Sequence, residues 1–330
     1  MKAAILDRYD KNGAALAVRD IPTPEPGAHE VLVRVHTAAV NPLDNMVIRG
    51  DVRLIVPYRT PLVMGNEFSG TVVRAGAAAG RFKPGDRVYG RMPLAKIGAF
   101  AEYAAVDESA LAHVPGYLSM EEAACVPLTA LTTLRALELM EARPGQKLFI
   151  SGGTGSLGAM AIPIAARMGL TVATNGSASA AWEPAFFSTT RPSATSTSCT
   201  TWTACLTPWA SASCRTSLPC SSRAGTWCRY AACPTGALPS ERGCPRSSGR
   251  CLALQATSST RWPRARARRT TSSLCTRTAR SSRVAELFPA ERPLAVSIDG
   301  TYGLDQVNDA LELVRSGHSQ GKTLLRIDET

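Results

Sequence analysis

The segment that most constrains this chain is 147–174, KLFISGGTGSLGAMAIPIAARMGLTVAT. Lys147-Leu148-Phe149-Ile150-Ser151 reads as a short apolar strand, 156–168 carries apolar side chains at helical spacing, and 170–174 reads as a second strand. Between the first strand and the helix, Gly153, Gly155 and Gly158 form G-x-G-x-x-G in the setting that makes the pattern meaningful. Gly153 permits a tight turn, Gly155 lets backbone approach a pyrophosphate, and Gly158 lets helix pack on strand. The phosphates would sit on N–H groups at the positive end of the helix. The expected cofactor contacts are Ser151, Gly152, Gly153, Thr154, Gly155, Ser156, Leu157 and Gly158, with Thr174 at the end of the second strand. The unit is a dinucleotide-binding signature.

At 330 residues the chain suits two domains with a sizeable core. No apolar run reaches membrane-spanning length, and the N-terminal MKAAILDRYD lacks the apolar core of a signal peptide. A cytoplasmic location without membrane contact is therefore the expectation. The net charge of +11 belongs to one segment, because 184–283 holds 15 Arg, one Glu and no Asp or Lys, a net +14 that leaves the remainder at −3. Nine of the ten cysteines and all five tryptophans also fall between 182 and 275.

The first 115 residues read as a strand-rich domain, with β-prone runs at 2–9, 17–21, 30–40, 70–75, 87–89 and 100–106. Turn signals separate the runs, among them Asn41-Pro42 and Lys83-Pro84-Gly85-Asp86. Ser119-Met120-Glu121-Glu122 is a capping box, and Pro127 suits the first position of a helix lined by Leu128, Leu131, Leu134 and Leu137. An amphipathic helix is expected over 304–316, and after Gly321-Lys322 a last strand over 323–327.

These spaced pieces resemble the medium-chain dehydrogenase/reductase superfamily, in its zinc-independent, quinone oxidoreductase-like group. The resemblance rests on Asn41-Pro42-Leu43-Asp44 with Arg49-Gly50, on PLVMGNEFSG at 61–70, and on FKPGDRVYG at 82–90. It rests further on GAFAEY at 98–103, Leu128-Thr129-Ala130, SGGTGSLG at 151–158 and Gly321-Lys322. It covers about 1–178 and 284–330. It implies an α/β chain: a GroES-like β domain over 1–124, completed by 290–330, and a Rossmann domain with a doubly wound parallel sheet over 125–289.

The stretch 180–283 does not fit that pattern. It has little periodicity and is about a third Ser or Thr. A basic insert that binds nucleic acid is one reading, opposed by its tryptophans and cysteines. A metal module is another, but the cysteines form no C-x-x-C pair and no His lies among them. The third reading is translation in the wrong frame. Trp and Cys codons begin with TG, so the frame one nucleotide earlier turns each into Leu, Val or Met. Over 220–228 that frame permits L/V-L-K-P-G-G-H-L-V, and over 203–210 it permits D-G-V-F-D-T-L-G. Both resemble motifs found late in the family's Rossmann domain, in the right order. A frame shift over 180–283 is the preferred reading; if the segment is genuine, an inactive relative or a nucleic-acid-binding protein becomes the alternative.

No metal is expected. The positions that hold His-Glu and Cys in zinc enzymes of the superfamily read Asn66-Glu67 and Asn41, and Cys125 reads as a small apolar helix residue. Without a Lewis acid, a conjugated carbonyl or a quinone is the natural hydride acceptor, because hydrogen-bond donors suffice where charge builds on oxygen. By resemblance Asn41 and Asp44 face the nicotinamide pocket and Thr129 contacts the cofactor carboxamide. The alternatives are that Asn41 and Asp44 form a turn, that Thr129 packs in its helix, and that Asn66-Glu67 merely starts a strand. No acid follows the second strand in TVATNGSASA at 171–180, which favours NADP, with Ser177 as a phosphate contact. Lys322 stands at a family-like position near the nicotinamide end, or is an ordinary exposed lysine at a strand start. A homodimer is expected from the resemblance.

Overall fold

In the computed structural model, residues 1–175, 204–206, 284, 286–291, 293–317, 319 and 321–328 are described. Apart from the backbone of 204–206, the segment 180–283 lies outside the described residues, and so does Ser177. The expected frame shift and the readings of the basic, cysteine-rich stretch therefore rest on sequence.

Short strands dominate the first part of the chain: β1 (Lys2–Leu6), β2 (Ala17–Asp20), β3 (Glu30–Val40), then helix α1 (Pro42–Arg49). After them come β4 (Leu62–Val63), β5 (Glu67–Ala75), β6 (Arg87–Arg91), β7 (Tyr103–Asp107) and β8 (Leu111–His113). Next are α2 (Met120–Ala124), α3 (Pro127–Leu139), β9 (Lys147–Ser151), α4 (Ser156–Arg167), β10 (Thr171–Asn175) and β11 (Ala204–Leu206). The C-terminal part adds β12 (Ile298–Gly303), α5 (Val307–Ser316) and β13 (Lys322–Arg326).

β3 is an eleven-residue strand, EVLVRVHTAAV, rich in β-branched side chains that suit a pleated surface. β5 runs antiparallel along one edge of it, from Val31 opposite Ala75 to Ala38 opposite Phe68. Two strands share the other edge: β7 pairs with Glu30 to Arg34, and β13 pairs with Thr37 to Val40. The sheet has the order β12-β13-β3-β5-β6-β8, with β7 beside β3, and a second sheet has the order β2-β1-β4. Val33, Val35, Phe68, Val88, Phe100 and Leu111 meet Val307 and Leu311 of α5 in one core. Each such side chain contributes about 1.5–3 kcal/mol by leaving water.

By packing, the chain divides into two units, one of Met1–Leu131 with Thr270–Thr330 and one of Thr132–Arg269. In the second, β10 and β11 flank β9 and both run parallel to it. The βαβ unit expected over 147–174 is therefore present, with α4 as its crossover. The α/β class expected from the sequence holds: one unit is antiparallel except for the parallel pair β12–β13, and the other is parallel.

Local expectations fared unevenly. Ser119 and Glu122 make both capping-box bonds, at 3.1 and 2.8 Å. The helix expected over 304–316 begins instead with a 3-10 turn at Leu304–Gln306 before α5. Asn41-Pro42, read as a turn, opens α1 with Pro42 in the first helical turn, where its missing N–H costs nothing. β8 and β12 carry no strong strand signal, and pairing with neighbours decides them.

Candidate active site

In the second unit the glycine loop joins β9 to α4. Gly152 has φ 73°, a conformation that favours glycine. A Cβ at Gly158 would lie 2.2 Å from the Gly152 carbonyl oxygen, so only glycine lets α4 approach the loop this closely. At Gly153 a Cβ would strike the Thr174 hydroxyl, also at 2.2 Å. Thr174 donates to the Ile150 carbonyl at 2.6 Å, which pins the loop to the strand ends. At Gly155, by contrast, a Cβ would meet only the Gly152 oxygen at 3.5 Å, so the backbone there is open to close approach. Gly155 is the N-cap of α4 and supplies no side chain to cap it, and the first-turn N–H groups of Ser156, Leu157 and Gly158 have no partner within the helix. The loop lies at the carboxyl end of β9, where neighbouring strands lie on opposite sides, the usual place for a nucleotide in such sheets. Thr154 lies within this loop, and Ser151 is placed by its backbone at the end of β9, opposite Asn175. These residues fit a dinucleotide pyrophosphate.

In the first unit, Asn41, Asp44, Asn66, Glu67 and Lys322 form one buried polar cluster. Lys322 Nζ donates to Asn41 Oδ1 at 2.8 Å and forms an ion pair with Glu67 Oε1. The Asn41 amide donates to Glu67 Oε1 at 2.9 Å and to the Ala39 carbonyl at 3.0 Å. Glu67 Oε2 accepts from the Leu128 N–H at 2.6 Å, so the same carboxylate sits at the positive end of α3, where an anion is favoured. Asp44 Oδ2 accepts from the Asn41 N–H at 2.8 Å, and Asp44 Oδ1 accepts from Asn66 Nδ2 at 2.7 Å. Asn66 Oδ1 is buried and accepts no hydrogen bond from the described residues.

Glu67 and Asp44 have no exposed surface and Lys322 has 3%. Burial pushes the Asp44 carboxyl up to about 7, and the nearby Glu67 carboxylate adds to the rise. The hydrogen bonds from Asn41 and Asn66 and the charge of Lys322 oppose it. Burial likewise pushes the Cys125 thiol up, holding it neutral.

The structure thus brings together Asn41, Asp44 and Lys322 among the residues singled out from sequence. Lys322 is not the exposed strand-start lysine of the alternative reading. Thr129 is buried near the start of α3, its hydroxyl 3.1 Å from the Cys125 carbonyl, one turn back in the chain. Glu67 is the residue that sequence reasoning undervalued. Its only signal was position, a carboxylate in a buried strand start, which demands a cationic or N–H partner. Among the described residues no group of three or more His, Cys, Asp and Glu side chains is arranged to hold a metal.

Residues 27–116 match the Alcohol dehydrogenase GroES-like domain family. The NAD(P)H oxidoreductase RTN4IP1, mitochondrial, of Dictyostelium discoideum is 31% identical over 166 residues, 48% of this chain and 47% of that protein. The quinone-oxidoreductase homolog, chloroplastic, of Spinacia oleracea is 32% identical over 171 residues, 50% of this chain and 52% of that protein. Residues 27–116 are thus an alcohol dehydrogenase GroES-like domain, and about half of the chain is similar to quinone-oxidoreductase proteins. The chain spans about half the length of the curated relatives it matches.

Solved structures of the superfamily share the fold. The quinone oxidoreductase of Coxiella burnetii matches with a TM-score of 0.70 at 21% identity, over 99% of each chain. A thermostable alcohol dehydrogenase of Pyrobaculum aerophilum matches with a TM-score of 0.72 at 25% identity, also over 99% of each. The superfamily's GroES-like part corresponds here to the mainly antiparallel unit, and its Rossmann-like part to the parallel β10-β9-β11 sheet. Among the described residues no helix is long and apolar enough to cross a membrane.

Proposed function

We propose that this chain is a zinc-independent, NADPH-dependent reductase of quinones or α,β-unsaturated carbonyls. The observation that carries the reading is the buried Lys322 ammonium, held by Asn41 and Glu67 in the unit that also holds Asp44 and Thr129. A fixed cation there meets the need for a donor where a carbonyl or quinone oxygen gains charge. Zinc independence is supported by the donor set. Asn41 and Asn66 offer carboxamides, poor zinc ligands, and a second cation beside Lys322 would be repelled.

The cofactor supplies hydride when bound. The chain would hold its pyrophosphate on the backbone of Gly153, Thr154, Gly155, Ser156 and Leu157, at the start of α4. Thr174 keeps the loop in place, and Ser177 is the proposed 2′-phosphate contact. The lack of an acidic residue in 171–180 supports NADP over NAD. Asn41, Asp44 and Thr129 form the reacting end within 1–124 and the first turn of α3, while 125–289 is the cofactor domain and 290–330 completes the catalytic one. A cytoplasmic homodimer belongs to the same reading.

The test is NADPH oxidation, followed by absorbance, across a panel of benzoquinones, naphthoquinones and enones, with NADH and a metal chelator in parallel. Turnover with NADPH that survives chelation supports the proposal. Turnover only of simple alcohols, lost on chelation, refutes it.

A further inference from the structure

An ammonium group carries three N–H donors, and the acceptors around Lys322, Asn41 Oδ1 and Glu67 Oε1, engage two of them. Its neighbours have less to give. Both N–H groups of the Asn41 side chain are engaged, on Ala39 and on Glu67. The second Glu67 oxygen is engaged by the Leu128 N–H. Asn41 therefore has no side-chain donor left for a reacting oxygen. Among the described residues Lys322 has one, on a group carrying a full positive charge.

We propose that Lys322 is the hydrogen-bond donor to the oxygen on which charge builds during reduction, and that Glu67 and Asn41 are its positioning residues. This rests on the reductase reading and assigns Lys322 to the reacting oxygen instead of to the cofactor. Hydride adds to the β-carbon of an enone, the carbon–carbon π pair shifts toward the carbonyl, and the carbonyl oxygen takes the negative charge. The Lys322 N–H strengthens its hydrogen bond to that oxygen and keeps its proton. A solvent proton then adds at the α-carbon and the carbonyl re-forms. Because three hydrogen bonds, to Ala39, from Leu128 and between the two, already fix the Asn41 and Glu67 side chains, the donor needs no reorganisation at the moment of reaction.

The experiment uses the chain expressed from sequence-verified DNA, with the single substitutions Lys322→Met and Glu67→Gln and the double substitution. For each, kcat and KM for a quinone and an enone, the NADPH dissociation constant by fluorescence, and thermal unfolding are measured. Lys322→Met lowers kcat by about 10²-fold or more, as expected for loss of a charged donor, while NADPH affinity stays within about twofold. Glu67→Gln lowers kcat while KM for the quinone and NADPH affinity change little, the split expected when a positioned donor is loosened. The double variant has no uncompensated buried charge, so it folds, and it is as slow as Lys322→Met. A double variant as fast as the unsubstituted chain overturns the proposal, as does a Lys322→Met defect confined to NADPH affinity. An unsubstituted chain that binds NADPH but reduces nothing overturns the reductase reading and this donor role together. Turnover that survives Lys322→Met overturns the donor role alone.

Discussion

The Lys322 ammonium lies 2.8 Å from the Asn41 carboxamide oxygen although 281 positions separate the two residues. Their meeting follows from strand register. β13 pairs antiparallel with the end of β3, with Thr323 opposite Val40, so the first residue of one strand lands beside the residue that follows the other. The pair is closed by Glu67, from the start of β5 on the opposite edge of β3.

Breaking this ion pair one side at a time is costly. Lys322→Met or Glu67→Gln alone is expected to lower stability by roughly 3–5 kcal/mol, while the double substitution lies near the unsubstituted chain. Chemical denaturation in a double-mutant cycle checks it; simple additivity of the two losses sinks the idea.

Asp44 makes stability pH-dependent in a specific sense. Its carboxyl is raised from 3.8 to about 7 by burial, so the folded state holds a proton that the unfolded state releases. The contribution is fully present below about pH 4 and is lost as pH rises through about 7. Asp44→Asn is expected to flatten the fall of Tm between pH 4 and 7.5 that this group causes. A rotated Asn66 can present its unused oxygen to the new amide, so the substitution has an acceptor at hand. An unchanged slope in Tm against pH would count against this assignment.

The three glycines of the loop are expected to separate by role. Gly158→Ala and Gly153→Ala each place a Cβ 2.2 Å from another atom and lower both thermal stability and NADPH affinity. Gly155→Ala meets nothing closer than 3.5 Å, so Tm holds while NADPH affinity falls about tenfold or more. Equal affinity in Gly155→Ala and the unsubstituted chain would remove the pyrophosphate from this loop.

Cys125 is buried with its thiol held neutral, its Sγ 3.2 Å from the Glu121 carbonyl. Site-resolved mapping after iodoacetamide treatment at pH 8 is expected to leave it unmodified in the native chain and modified after denaturation. Native labelling would show an opening of the turn between α2 and α3.

Sequencing of the coding DNA across 175–290 is expected to show a base gained or lost near each edge of 180–283. An unbroken frame makes the basic, cysteine-rich stretch genuine and returns the nucleic-acid reading to contention.

The dinucleotide loop was legible because all its determinants are contiguous. Apolar alternation, a turn that needs glycine, and helical spacing fall within 147–174, and each acts on its own few residues. The Ser119–Glu122 capping box was legible for the same reason, since its partners are three residues apart. The chemistry of Asn41, Asp44, Glu67 and Lys322 was not. Read locally, Asn41-Pro42 is equally a turn, Glu67 a strand start and Lys322 an exposed lysine; only the resemblance pointed Asn41, Asp44 and Lys322 toward the nicotinamide end. A buried charge is tolerated only where its partners also arrive, and those partners come from β3, β5, α3 and β13. Local backbone preferences alone determined the loop, whereas the pairing of β13 and β5 on opposite edges of β3 decided which buried charges compensate one another.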